Sequence, residues 1–133
     1  MSMTAAEILA TVYQRMGEQD WDGVMALLSD DFKVVEPKSL PYGGLWEGKD
    51  ALLRLYPAVM SNFDDPAPVI KEVIGGEVWA AVIVDFTVTA KKTGRRFTQT
   101  VSEVGRIEDG KLAELQIHYF DTAEMVKEIG GPE

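Results

Sequence analysis

The sequence predicts an α+β fold, with N-terminal helices packed on one face of a curved, mainly antiparallel sheet. Three observations predict it. From Ala5 to Met60 apolar residues recur mostly at three- and four-residue intervals, the period of a helix with one buried face. From Val69 onward the chain turns to runs of Val, Ile, Thr and aromatic residues separated by short turn signals, the pattern of antiparallel strands. The length of 133 residues, 46% hydrophobic and 26% charged, suits one domain spanning 1–133 that buries a core without staples.

Thr4-Ala5-Ala6-Glu7 reads as a capping box, in which Thr4 caps the helix and Glu7 reaches back. Ala5, Ile8, Leu9, Val12 and Met16 then form one face of a helix running to about Glu18. Asp20 caps a shorter second helix holding Trp21, Val24, Met25 and Leu28, and Ser29-Asp30-Asp31 breaks it. Phe32, Val34 and Glu36 alternate with Lys33 and Val35 as a strand. A loop follows from Pro37 to Gly48, with Pro41, Gly43 and Gly44 inside it. Leu52, Leu55, Tyr56, Val59 and Met60 mark a third helix that Pro57 should kink or shorten, and Asp64-Asp65-Pro66 ends that region. Strands are expected over Val69–Ile74, Val78–Ala90, Phe97–Ile107 and Leu112–Phe120. Gly75-Gly76, Thr93-Gly94 and Asp109-Gly110 supply the turns. Asp121-Thr122-Ala123-Glu124 is a second capping box, opening a short helix that closes at Gly130-Gly131. There is no internal repeat or low-complexity segment.

Composition excludes several functions. With no cysteine, disulfides and thiol chemistry are absent, and one histidine rules out a multi-histidine metal site. No aspartate-rich loop of the calcium-binding kind is present, so no metal is expected. Gly43-Gly44 lacks the spacing of a phosphate loop, and no serine sits in a nucleophile elbow. No cofactor is expected. Thirteen basic against 22 acidic residues give a net charge of -9, which argues against nucleic acid as a partner. Met1 to Ala10 has no basic stretch before an apolar run, and no apolar stretch is long enough to span a bilayer. The expectation is a soluble cytoplasmic protein with no membrane partner.

Strand parity sorts the candidate site residues. Glu36 shares a face with Phe32 and Val34, and Glu103 with Phe97, Val101 and Ile107. Asp85 goes with Trp79, Ala81 and Ile83, opposite the more apolar face of its strand. His118 goes with Gln116 and Phe120, while Leu115, Ile117 and Tyr119 point the other way. Glu36 and Glu103 are the leading pair. Two carboxyls in unlike apolar surroundings divide into an ionised base and a protonated donor. The alternative is that each sits solvated at a strand end or paired with Lys or Arg. Asp85 faces either a pocket, a subunit interface or solvent. His118 is an acid-base candidate because its ordinary pKa lies near neutrality, or else an exposed or sheet-bonded histidine. Tyr42 and Trp46 either form a lid over an apolar ligand or close the core beneath their loop. Tyr13 flanks the apolar stripe of the first helix, as a core residue or as a donor into a pocket.

The layout also resembles a known superfamily. A capped helix, a short helix opening Asp-Trp-Asp and then "LLSDDFKVVEP", "YGGLWEGKDAL" and "VGRIEDGKLAELQIHYFDTAEMV" look like the nuclear-transport-factor-2-like superfamily. The similarity runs from about Thr4 to Ile129, and its SnoaL-like polyketide cyclase and ketosteroid-isomerase-like branches look closest. The resemblance implies a cone-like fold enclosing a deep pocket, and a homodimer formed through the outer sheet face. It implies a small apolar or carbonyl-containing ligand. Glu36, before Pro37, matches the position of the steroid isomerases' aspartate base. Glu103 matches that of their protonated aspartate donor, and their donor tyrosine falls at Val12, one residue from Tyr13. Both acids are glutamate here, one methylene longer. The polyketide cyclases rely on an acidic residue and polar pocket groups, a role that Asp85, Gln116 and His118 would fill. Glu36 is thus expected as a base removing a proton next to a carbonyl, with Glu103, Tyr13 or His118 stabilising the enolate. The rival expectations are a non-catalytic binder of an apolar molecule and a dimeric association domain.

Overall fold

The computed structural model describes residues 2–132. Four helices, α1 (Ala5–Gly17), α2 (Trp21–Met25), α3 (Ala51–Met60) and α4 (Thr122–Ile129), accompany six strands. The strands are β1 (Leu28–Glu36), β2 (Gly44–Glu47), β3 (Phe63–Gly75), β4 (Trp79–Ala90), β5 (Arg96–Glu108) and β6 (Lys111–Tyr119). They form one sheet in the order β2-β1-β6-β5-β4-β3. Only β1 and β6 run parallel, with Val34 beside Leu115. The expected α+β architecture, a mainly antiparallel sheet under N-terminal helices, is what the chain adopts. No helix among the described residues is long and apolar enough to cross a membrane.

Local chemistry accounts for the element ends. The Thr4 hydroxyl accepts from the Glu7 amide at 3.1 Å while Glu7 accepts from the Thr4 amide at 2.9 Å. Asp109 and Gly110 both take positive φ, 51° and 74°, the geometry of a tight hairpin turn. The second capping box is only half made. Asp121 accepts from the Glu124 amide at 3.2 Å, but its own amide goes to Gln99 Oε1 at 2.9 Å. Glu124 instead takes the Gln99 amide group at 2.6 Å and the Arg95 guanidinium at 3.1 Å.

Several element boundaries differ from expectation. Ser29-Asp30-Asp31 does not end a helix; it lies inside β1, where the pairing with β6 shifts register between Leu28 and Lys33. A bulge places polar residues in a strand without turning them into the core. Leu28 accordingly belongs to β1 and not to α2. The loop after Pro37 contains β2, which pairs with β1 through Val34 and Trp46. Asp64-Asp65-Pro66 lies within β3, at another register shift, and Pro68 follows it. Pro is tolerated there because β3 is an edge strand. Pro57 sits inside α3, which nevertheless runs on to Met60.

The core lies between the inner sheet face and helices α1, α3 and α4. Leu9, Val12, Phe32, Val34, Val82, Leu112, Leu115 and Met125 are among its most enclosed side chains. One glycine sets the distance between the layers. A Cβ on Gly105 of β5 would lie 2.8 Å from Leu112 Cδ1 and 3.2 Å from Leu9 Cδ1. With no side chain there, Leu9 of α1 settles directly onto the sheet. Tyr13 lies one helical turn beyond Leu9 on the same side. Glu103 lies two residues before Gly105 on the same face of β5. The seat of the helix thus brings Tyr13 over Glu103.

Candidate functional site

A cavity of about 440 Å³ opens between the inner sheet face and the helices. Its floor is built by Glu36 of β1, Val84 and Phe86 of β4, Val101 and Glu103 of β5, and Ile117 and Tyr119 of β6. Met16 and Gly17 at the end of α1, Val59 and Met60 of α3, and Pro66, Pro68 and Ile70 of β3 surround the rest. The three β3 residues and Gly17 are exposed, which places the mouth between that edge strand and the helix ends. Most of the lining is apolar. The polar groups gather at the deep end.

Glu36 ends β1 and is 4% exposed. Its Oε1 finds no hydrogen-bond partner among the described residues. Burial, followed by the nearby charge of Glu103, pushes its carboxyl up to about 9, because the ionised form loses its hydration. Glu103 is half-buried. Its Oε1 accepts the Tyr13 hydroxyl proton at 2.5 Å. Burial pushes its carboxyl up to about 7, and the Tyr13 bond works against that rise. Burial, then the charge and bond of Glu103, hold the Tyr13 phenol well above its usual value. The Tyr119 hydroxyl lies 2.8 Å from that of Tyr42, which is itself buried. Burial and then the Glu36 charge raise both of those phenols above the usual value.

The two acids therefore differ in kind. Glu103 carries a donor that favours its ionised form, whereas Glu36 Oε1 has none among the described residues. Burial raises both carboxyls, and the Tyr13 hydrogen bond makes Glu103 the easier of the two to ionise. Such a pair can accept a proton at one position and donate a hydrogen bond at another.

Glu36, Glu103 and Tyr13 thus meet at one cavity, and Tyr42 reaches its edge through Tyr119. The other candidates lie elsewhere. Asp85 is on the outer sheet face, 3.9 Å from Lys71 Nζ and 3.4 Å from Thr100 Oγ1. Gln116 is on that same face and donates to Glu114 at 2.7 Å. His118 is exposed there, beside Ser102 across the strand pair. Alternation on β6 sends His118 and Gln116 away from the inner face that Leu115, Ile117 and Tyr119 occupy. Trp46 does not cover the cavity. It is held on β2, where its indole donates to the Tyr42 carbonyl at 3.0 Å and Arg54 lies 5.7 Å from its ring centre. The pairing of β2 with β1 holds Trp46 at the sheet edge away from β3, and Tyr42 is buried against Tyr119.

Sequence reasoning overlooked Tyr119, although parity alone places it beside Ile117 on the inner face. It also missed Met16, Met60 and Tyr56, which line the cavity but read in sequence as ordinary core residues. Among the described residues no group of three or more His, Asp or Glu side chains is arranged to hold a metal ion.

Residues 9–115 match the model of a family described as the SnoaL-like domain. No curated protein matches the chain. A solved NTF2-like protein of unknown function from Burkholderia pseudomallei is 27% identical, with 96% of this chain and 98% of that one covered and a TM-score of 0.81. An NTF2-like protein from Burkholderia thailandensis is 19% identical over 94% of this chain and 96% of that one, with a TM-score of 0.83. A hypothetical protein from Catenulispora acidiphila with a ketosteroid isomerase-like fold, solved in complex with trimethylamine, is 11% identical. It covers 96% of this chain and 95% of its own, with a TM-score of 0.72.

Proposed function

The chain belongs to the SnoaL-like domain family, and we propose that its pocket moves a proton at a carbon next to the carbonyl of a small apolar ligand. One observation carries this reading. Two carboxyls face one apolar cavity in unlike surroundings, and neither is paired with Lys or Arg.

The Tyr13 hydrogen bond to Glu103 supports assigning the two roles the other way round from the sequence expectation. Glu103 is the easier to ionise and acts as the base. Glu36 keeps its proton and donates to the carbonyl oxygen. The Glu103 carboxylate takes the proton from carbon, and the electron pair moves onto the oxygen as an enolate. Glu36 stabilises that oxygen with a hydrogen bond that strengthens as charge develops. The proton then returns from Glu103 to the same carbon or to another carbon of the conjugated system. Tyr13 orients the base. The apolar walls exclude water and hold the ligand.

The test is deuterium uptake from D2O into a panel of neutral ketones, followed by NMR. Glu103→Gln should lower the uptake rate by about a hundredfold or more, the usual worth of a positioned base. Glu36→Gln should lose less, since the amide still donates to the carbonyl. If Glu36→Gln abolishes uptake while Glu103→Gln retains it, the two roles are reversed. If ketones bind and none exchanges faster than in buffer, the pocket is a binder.

A further inference from the structure

The same cavity supports an inference about ligand charge that does not depend on any proton leaving carbon. Glu36 and Glu103 are the only charged residues in its lining, with no Lys, Arg or His among the described lining residues. The remaining ionisable lining residues are Tyr13, Tyr56 and Tyr119, and Phe86 adds a further ring. Glu36 Oε1 is buried without a hydrogen-bond partner among the described residues. A buried carboxyl oxygen without a hydrogen bond costs free energy that a donor to the carboxyl would lower.

We propose that the cavity binds a hydrophobic amine in its ammonium form, with the ammonium N–H donating to the Glu36 carboxyl and its charge lying between Glu36 and Glu103. Each kind of ligand meets a different reception. An anion meets two acids and no cation. A neutral ketone accepts one hydrogen bond from protonated Glu36 and leaves the Glu103 carboxylate without a counter-charge. An ammonium supplies the missing donor and the missing charge together. Aromatic ring faces attract cations as well, and the apolar walls take the rest of the molecule. The net charge of -9 concentrates cations around the protein before binding.

Binding should expel a proton. The groups facing Glu36 are Glu103 of β5, Tyr13 of α1, Tyr56 of α3, Tyr119 of β6 and Tyr42 behind Tyr119. Strands β3 and β4 contribute only apolar groups there. None is a cation, so an arriving ammonium is the first positive charge the pair meets. It favours the ionised carboxyls, which burial otherwise holds up at about 7 for Glu103 and about 9 for Glu36. Amine affinity therefore rises with pH. Ketone affinity, which uses the protonated Glu36, stays level over the same range and falls only at higher pH.

Three probes sharing one ring system test this by calorimetry on the whole chain: dimethyl(naphthylmethyl)amine, acetonaphthone and naphthylacetate. The amine should bind about tenfold tighter than the ketone, the worth of one charge-assisted hydrogen bond, and naphthylacetate should bind weakest. Between pH 5 and pH 7 amine affinity should rise by about tenfold per pH unit, the slope for release of one proton. Glu36→Gln combined with Glu103→Gln should remove both the preference and the slope. Naphthylacetate binding as tightly as the amine would overturn the proposal, and so would amine affinity that does not change with pH in the unaltered protein. Neither outcome bears on ketone deuterium uptake, so this inference and the proton-transfer reading fail separately.

Discussion

Replacing Glu36 by Gln should make stability less dependent on pH. Glu36 is 4% exposed and its carboxyl is pushed up to about 9. In the unfolded chain it titrates like an ordinary glutamate, near 4.5. The folded pKa is the raised one. Its contribution to stability is therefore fully present below the unfolded value and is lost as pH rises toward the folded value. Between pH 5 and pH 8 the unfolded chain releases this proton and the folded chain keeps it. Three pH units at 1.36 kcal/mol each give a loss of about 4 kcal/mol over that interval. Gln has the same shape and no proton to lose, so the variant should escape this loss. Urea denaturation of both proteins at pH 5 and pH 8 measures it, and the difference of differences cancels every other titrating group. Glu103 contributes its own decline in both proteins and cancels likewise. Parallel pH profiles for the two proteins would refute the reasoning, because Glu36 would then ionise as freely folded as unfolded.

Two further outcomes test how the site is held. Tyr13→Phe removes the hydroxyl that donates to Glu103, and thereby the group favouring its ionised form. The Glu103 carboxyl should move up by about one to two pH units, the equivalent of one hydrogen bond to a charged group, as read by carbon NMR titration of the glutamate carboxyls. Gly105→Ala places a methyl against Leu112 and Leu9. It should cost about 1–3 kcal/mol in denaturation and produce a similar upward change at Glu103, since α1 carries Tyr13 away as it lifts.

Period and parity made much of this legible. The alternation through Phe32, Val34 and Glu36 pointed Glu36 inward, and the same argument applied to Glu103. The β-rich second half announced its hairpins by residues tolerant of positive φ, as at Asp109-Gly110. What stayed hidden depended on non-local pairing. Nothing local marks Gly44–Glu47 as a strand; its order comes from hydrogen bonds to β1. Nothing local marks Asp64-Asp65-Pro66 as part of an edge strand, because two charges and a proline read as a break. His118 shows a different error. Its ordinary pKa recommended it, yet the parity of β6 had already turned it away from the inner face. Tyr13 needed the third dimension. Its usefulness depends on how closely α1 rests on the sheet, which Gly105 determines from far along the chain.

The edge strand β3 has a consequence for the protein at high concentration. A strand with one free edge and with exposed Val69, Ile70 and Ile74 is a template on which another chain could extend the sheet. Pro66 and Pro68 offer no amide hydrogens to an incoming strand, and two register shifts break the straight run of the ladder. Lys71 and Glu72 add charge along the same stretch. The residues that shape the pocket mouth are thus also those that guard the sheet edge against runaway self-association. Smoothing them into a regular strand would reshape the mouth and remove that protection together.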